Sequence, residues 1–174
     1  MANHESTARV VVCDAGPLIH LDELGSIDLL TDFAEILVPS VVWKEVEGHR
    51  PTALNHPDVA LRRIVSSGPL PADLQATARL LALHRGELRA LQIARRQNAD
   101  LLLTDDTAAR LAARILEIPV HGTGGVLLRA IRRGHRTTDE VVALLHTLPT
   151  VSSLHIKRPL LLDIIRGVKE SASD

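Results

Sequence analysis

The chain has 174 residues, a length that one compact domain commonly fills. Hydrophobic residues make up 45% of it and the formal net charge is −1, so a sizeable core is available and the chain is not globally basic. Its single cysteine, Cys13, excludes an intrachain disulfide framework and fits a reducing, cytoplasmic setting. The opening stretch Met1–Ala8 is polar and contains Glu5, unlike a signal peptide. No apolar run approaches the ~20 residues needed to span a bilayer, so no membrane partner is expected.

In chain order, Arg9–Cys13 (RVVVC) is short, apolar and β-branched, and reads as a buried strand. Gly16–Pro17 opens a helix over Leu18–Leu24, and Ser26 can cap another over Ile27–Phe33. Glu35–Val38 reads as a second strand stopped by Pro39, with a helix over Val41–Val46 after it. Glu47–Pro57 is loop-like, and Val59–Val65 reads as helical. Helices follow over Asp73–Leu83 and Gly86–Arg96, then a strand at Leu101–Thr104. Asp106–Leu116 reads as an amphipathic helix with Leu111, Ile115 and Leu116 on its apolar side. Pro119–His121 is a short strand and Gly124–Arg133 a helix. Thr137 and Glu140 have capping-box spacing ahead of Val141–Leu148, and Pro159 can start a last helix over Leu160–Val168. Strands apolar on both faces, alternating with helices, predict a parallel sheet between helical layers.

In such sheets the chemistry gathers at the C-terminal ends of strands. Asp14 directly follows the first strand, and Asp105 and Asp106 follow the strand Leu101–Thr104. Glu45 lies one turn into the helix after the second strand, and Glu87 opens the helix Gly86–Arg96. Each has an ordinary alternative: Asp14 and one of the Asp105–Asp106 pair as helix N-caps, Glu87 as a first-turn acid favoured by the helix dipole, Glu45 as a solvated surface group. Converging on one edge, however, they would repel unless neutralised. Mg²⁺ or Mn²⁺ does this with hard oxygen ligands while keeping several waters. Asp14, Glu87, Asp105 and Asp106 are the expected ligands, with Glu45 beside them in the catalytic set.

Charge is unevenly spread. Met1–Ala78 holds 5 Lys+Arg against 11 Asp+Glu, whereas Arg79–Arg136 holds 11 against 5, a net +6. A basic face around an acidic centre suits a polyanion held over a metal. Arg85 and Arg89 flank Glu87, and Arg110 lies one helical turn past Asp106, so these three are the expected contacts to such a polyanion. Aromatics are nearly absent, so phosphate contacts and arginine stacking would have to hold the strand.

Other chemistries fit less well. Gly122–Gly125 lies between a strand and a helix but meets neither GxGxxG nor a Walker pattern, and reads as a tight turn. The histidines lack HxH and HExxH spacing, and no GxSxG occurs. Cys13 and Trp43 read as core. A phosphoacceptor domain would want a lysine at the end of a late strand, and none lies between Lys44 and Lys157.

These segments also resemble a known family. VVVCDAGPLIHLDELGSIDLL resembles the opening of PIN-domain proteins, ILVPSVVWKEV their second motif, and HRGELRALQIARRQNADLLLTDDTAARLAA their third and fourth. HGTGGVLLRAIRRG resembles a segment of a subgroup related to VapC toxins. The resemblance implies an α/β, three-layer α/β/α sandwich with a central parallel sheet of about four to five strands. It implies a PIN-like nuclease domain over 9–148 and a C-terminal helical extension, 149–174, packed on it. It further implies Mg²⁺- or Mn²⁺-dependent cleavage of RNA, a toxin role with an antitoxin protein as partner, and a homodimer. Asp14, Glu45, Glu87 and Asp105 match the family's acidic positions; Asp106 is the alternative to Asp105, because Thr104–Asp106 has the threonine–any–aspartate spacing. One departure stands out. Many members carry Ser or Thr shortly after the first aspartate, where this chain has Ala15–Gly16–Pro17. That departure keeps open a second reading, a catalytically weak or inactive module that binds nucleic acid or a partner protein.

Overall fold

The structure, a computed structural model, describes residues 10–170. Arg9, the expected first residue of the opening strand, lies outside the described residues, as do 1–8 and 171–174. The chain runs β1 (Val11–Cys13), α1 (Ala15–Glu23), β2 (Ile36–Pro39), α2 (Ser40–His49), β3 (Leu61–Ile64), α3 (Ala72–Leu80) and α4 (Arg85–Arg96). It continues through β4 (Leu101–Leu103), α5 (Thr107–Ile115), β5 (Val120–His121), α6 (Thr123–Arg132), α7 (Thr138–Val151) and α8 (Arg158–Glu170). Short 3₁₀ turns occupy Ile27–Asp32 and Pro51–Leu54.

All five strands pair in parallel, in the order β3-β2-β1-β4-β5. Because successive side chains point to opposite faces, each short apolar run feeds two cores. Val11, Cys13, Ile36, Val38, Leu101 and Leu103 enter one, with Leu18 and Leu21 of α1, Val42 and Val46 of α2, and residues of α6, α7 and α8. Val12, Leu37 and Leu102 enter the other, under Leu74 of α3, Leu91 of α4 and Ala112 of α5. This is the expected three-layer α/β/α arrangement. The extension contributes Leu161, Ile165 and Val168 to the first core, and α7 continues through Pro149 to Val151. Among the described residues no helix is long and apolar enough to cross a membrane.

Two expectations are corrected. Val59–Val65 is not a helix: Leu61–Ile64 is the edge strand β3, with Leu37 facing Arg62 in register. Leu61 and Ile64 are three apart, a spacing that shares one side of a helix but opposite faces of a strand. Here Leu61 packs on the first core and Ile64 on the second, and pairing with β2 decides between the two. The second correction concerns α5. Leu111 and Ile115 are exposed, while Ala109, Ala112 and Ala113 are buried. Small alanines let this helix lie close to the sheet, so its inner face is not its bulkiest one.

Four successive helices, α3 to α6, end on one device. Ala82, Asn98, Glu117 and Gly134 all have positive φ just after α3, α4, α5 and α6. The next amide then bonds back across the last turn, as Ala99 N–H does to the Ala94 carbonyl at 2.8 Å. After α4 this turn delivers the chain straight into β4, whose end carries the acidic pair.

Candidate active site

The strand order reverses at β1: β2 and β3 lie on one side of it, β4 and β5 on the other. In open parallel sheets a crevice forms at that switch, beyond the carboxyl ends of the strands. Asp14 follows β1 there, and Thr104, Asp105 and Asp106 follow β4; the Asp14 N–H bonds the Leu103 carbonyl at 2.9 Å. A cavity of about 360 Å³ opens at this point, and Asp14, Glu45, Glu87, Asp105 and Asp106 all line it.

Asp14 is buried, 8% exposed, and makes no cap bond to α1, so the N-cap reading does not describe its side chain. Instead its Oδ2 accepts a hydrogen bond from Thr104 Oγ1 at 3.0 Å. The same hydroxyl oxygen accepts from the Asp106 N–H at 3.3 Å, so Thr104 ties the end of β4 to the end of β1. The hydroxyl lacking at Ala15–Gly16–Pro17 therefore has a counterpart on the neighbouring strand. Burial pushes the Asp14 carboxyl up to about 6, the nearby Glu87 and Glu45 charges add to the rise, and the Ala15 amide and Thr104 hydroxyl only partly offset it.

Glu87 is also buried, and its Oε2 accepts from the His84 N–H at 2.7 Å, closing the first turn of α4. Its pKa too is raised, by burial first and by the charges of Asp106 and Glu45, against the His84 amide. Asp106 caps α5, its Oδ1 accepting from the Ala109 N–H at 2.7 Å. Glu45 is exposed on α2, one residue before the buried Val46. Among the described residues, Glu87 Oε1, Asp106 Oδ2 and the Glu45 carboxylate accept no hydrogen bond. Gly86 keeps the space between them open: a Cβ there would lie 3.6 Å from both Asp14 Oδ1 and Glu45 Oε2, and 3.3 Å from Val42.

Asp105 is differently employed. Its Oδ1 accepts from the Thr123 N–H at 2.7 Å, and its Oδ2 accepts from Thr123 Oγ1 at 2.6 Å and lies 2.7 Å from His20 Nδ1. It thus holds the start of α6 and the middle of α1 against β4, a carboxylate at a helix N-terminus where the dipole favours it. Gly122–Gly125 turns out to be this junction. A Cβ on Gly122 would come within 2.5 Å of Asp105 Oδ1 and 3.3 Å of the Thr104 carbonyl, so glycine there is a condition of the contact. The reading of this stretch as a tight turn gives way to a helix start whose first amide is taken by Asp105.

His20, His84, Leu154 and His155 also line the cavity, beside Ala15, Gly16 and Gly86, and are absent from the sequence-based set. His84 could have been found, since it stands two residues before Gly86–Glu87. His155 comes from the segment between α7 and α8, and nothing in its local sequence marks it. Of the expected RNA contacts none lines the cavity: Arg85 is exposed at the start of α4, Arg89 donates to Gln92 Oε1 at 2.7 Å, and Arg110 lies against Gly122. The basic stretch is also less free than its net charge implies. Arg95 pairs with Asp73, Arg129 and Arg133 with Asp32, and Arg136 with Asp28, all acids of the first part of the chain.

A family model described as a PIN domain matches residues 10–170. The chain belongs to the PIN-domain family. That family is one of nucleases that generally use divalent metals, so a nuclease-like function follows from membership. The match covers the five-stranded PIN sheet together with α7 and α8. No curated protein matches the chain.

Whether the PIN site suits a divalent ion depends on its donors. Among the described residues, no three His, Cys, Asp or Glu side chains stand close enough to hold a metal ion directly. The site is therefore not a closed protein cage of the kind a structural zinc requires. Hard carboxylate oxygens around a space kept open by Gly86 suit an ion that retains much of its water, as Mg²⁺ does with one or two carboxylates.

Proposed function

We propose that this PIN domain is a Mg²⁺- or Mn²⁺-dependent endoribonuclease that hydrolyses RNA phosphodiester bonds at the Asp14 cavity. The observation that carries the reading is the gathering of Asp14, Glu45, Glu87 and Asp106 around one cavity whose lining holds no lysine or arginine, where burial first and the Glu87 and Glu45 charges after it push Asp14 up to about 6. Such a cluster is costly until positive charge arrives. A bound divalent ion would lower the pKa of a water and stabilise the leaving oxygen.

In this reading one or two of Asp14, Glu87 and Asp106 would face the ion directly and the rest would reach it through its waters, and Glu45, exposed at the rim, is placed to orient a water or accept its proton. Asp105 takes a positioning role, because both its oxygens are already committed to Thr123 and His20. Thr104 fixes the Asp14 carboxylate so that its second oxygen faces the cavity. The inactive-module alternative rested on a missing hydroxyl, and the Thr104 hydroxyl on Asp14 favours the active reading over it.

The test is cleavage of a mixed-sequence RNA oligonucleotide by the purified chain with Mn²⁺, with Mg²⁺ and with chelator. Internal cuts that require the ion are expected. Equal cutting in chelator, or none under any condition, would overturn the reading.

A further inference from the structure

Between α7 and α8 the chain has no helix or strand over residues 152–157, yet it is firmly tied down. Glu23, the last residue of α1, receives three hydrogen bonds on Oε2: from Ser152 Oγ at 2.9 Å, the Ser153 N–H at 2.7 Å and Ser153 Oγ at 3.0 Å. Partial burial would raise the Glu23 carboxyl, but the Ser153 amide and the two hydroxyls more than reverse this and leave it lowered. Ser152 Oγ also accepts from the Leu154 N–H at 3.1 Å, tightening the turn. Leu154 and Ile156, two apart, both pack on the first core, as alternation in an extended segment requires. A strap results, anchored by one carboxylate and two apolar side chains, and it crosses the mouth of the carboxylate cavity, where Leu154 and His155 form part of the lining.

The strap puts His155 where a donor is scarce. The walls of the cavity are acidic, and the arginines Arg85, Arg89 and Arg110 are not among its lining. Of the three lining histidines, His20 is engaged with Asp105, and His84 starts α4 with its backbone on Glu87. His155 alone is an exposed lining imidazole on an element outside the sheet-and-helix frame, and among the described residues neither of its ring nitrogens has a partner. A phosphodiester carries two non-bridging oxygens that accept hydrogen bonds, and an imidazole N–H is a suitable donor to them.

We propose that His155 is a substrate-contacting residue, its imidazole donating to the phosphate of an RNA strand in the carboxylate cavity, and that Glu23 is a positioning residue that holds the strap carrying it. This rests on the nuclease reading. It adds to that reading a residue from the C-terminal segment, so that the site is incomplete without the strap.

The experiment compares the full chain with His155→Ala, His155→Gln, Glu23→Ala and the Glu23→Ala/His155→Ala pair. Each is assayed for Mn²⁺-dependent cleavage of a mixed-sequence RNA and, in chelator, for equilibrium binding of the same RNA. Loss of a donor to a charged oxygen predicts a fall in kcat/KM of about ten- to a hundredfold for His155→Ala. Weaker RNA binding in chelator and partial recovery in His155→Gln, which keeps a donor, are expected with it. Glu23→Ala should fall less, and the pair should be no worse than His155→Ala alone, because the strap acts through the histidine. A thermal melt of each variant guards against unfolding. If wild type cleaves and binds while His155→Ala does both equally well, the inference is overturned and the nuclease reading stands. If Glu23→Ala and His155→Ala simply add, the positioning role is overturned. If wild type fails to cleave, the nuclease reading falls, and the binding arm alone decides whether His155 touches RNA.

Discussion

Two aspartates of this molecule are treated in opposite ways. Asp14 at the end of β1 is buried, and Asp32 at the end of the 3₁₀ turn Ile27–Asp32 is part-buried, with 6% of its side chain accessible. Burial raises both carboxyls. At Asp32 the rise is reversed: His135 Nε2 at 3.1 Å, Arg129 Nε and Arg133 Nε at 3.0 Å surround the carboxylate and leave its pKa lowered. At Asp14 it is not, because the neighbours are a hydroxyl, an amide and two further acids. The Asp32 cluster welds the turn to α6, and Arg129 also lies over Phe33 at 5.2 Å. One carboxylate is thus paired from within the chain and serves stability, while the other is left wanting a cation and costs stability. A buried acid without a cationic partner is what a site that recruits its cation from solution should contain.

The sharpest way to break this contrast is Asp14→Asn. Cleavage should be abolished, since the substitution removes charge from the oxygen nearest the cavity, and a variant with full activity would place any nuclease elsewhere. The same substitution should stabilise the protein in chelator. The Asp14 carboxyl is held near 6 in the folded chain against an ordinary 3.8, so the folded state holds its proton more tightly than the unfolded one. Stability from this group is then complete below pH ~4 and is lost as pH rises through about 6. The gap between those values corresponds to about 3 kcal/mol at neutral pH. Urea titrations in chelator should therefore show wild type weakening between pH 4 and 7 by up to about that amount, with the asparagine variant flatter. Saturating Mn²⁺ should restore wild type and not the variant. Parallel pH profiles for the two proteins would contradict the assignment of Asp14 as an unpaired acid.

The sequence reveals one member of this contrast more readily than the other. Asp14 could be read from VVVCD, because a fully buried parallel strand is a continuous apolar run and the acid sits at its carboxyl end. Asp106 followed from the same rule, and Glu87 from its place at the start of a helix. The partners of Asp32 could not be read, since Arg129 and Arg133 are 97 and 101 positions away and carry no local mark. The net +6 stretch was legible as composition, but its pairing with acids of the first part was not. Asp105 and Asp106 are adjacent and look equivalent; only the approach of Thr123 and His20, from segments distant in sequence, separates a committed carboxylate from an open one. β3 was missed because a spacing of three serves a helix and an edge strand alike. The strap 152–157 escaped because its anchor is Glu23.

The other side of the contrast is tested by Arg129→Ala. Removing one partner of a buried ion cluster leaves charge uncompensated, which typically costs 3–5 kcal/mol. Asp32 keeps Arg133 and His135, so a loss of about 3 kcal/mol, the low end, is expected by urea denaturation. Cleavage per folded molecule should be unchanged, because α6 reaches the cavity only through the bonds of Thr123 to Asp105, more than one turn from Arg129. A variant that is stable but inactive would mean the two clusters are coupled through α6 and the division between them is false.

The smallest effect is expected at the rim, and it asks whether any arginine serves the substrate rather than the fold. Arg85 is exposed at the first position of α4, between the lining residues His84 and Gly86, and makes no ion pair among the described residues. Arg89 is bonded to Gln92 and Arg110 is half-buried beside Gly122, so Arg85, the exposed one of the three, is the best placed to meet a phosphate. Counterion release from single-stranded nucleic acid gives a log–log salt slope of about −0.7 for each phosphate neutralised. Arg85→Gln should therefore flatten the salt dependence of RNA binding in chelator by roughly 0.7, and adding changes at Arg89 and Arg110 should flatten it little further. Binding measured at several salt concentrations separates this from a loss of fold, which would weaken affinity without a defined change of slope. A triple variant flatter by about 2 would return all three arginines to the substrate, and an unchanged slope in both would put the RNA on another face.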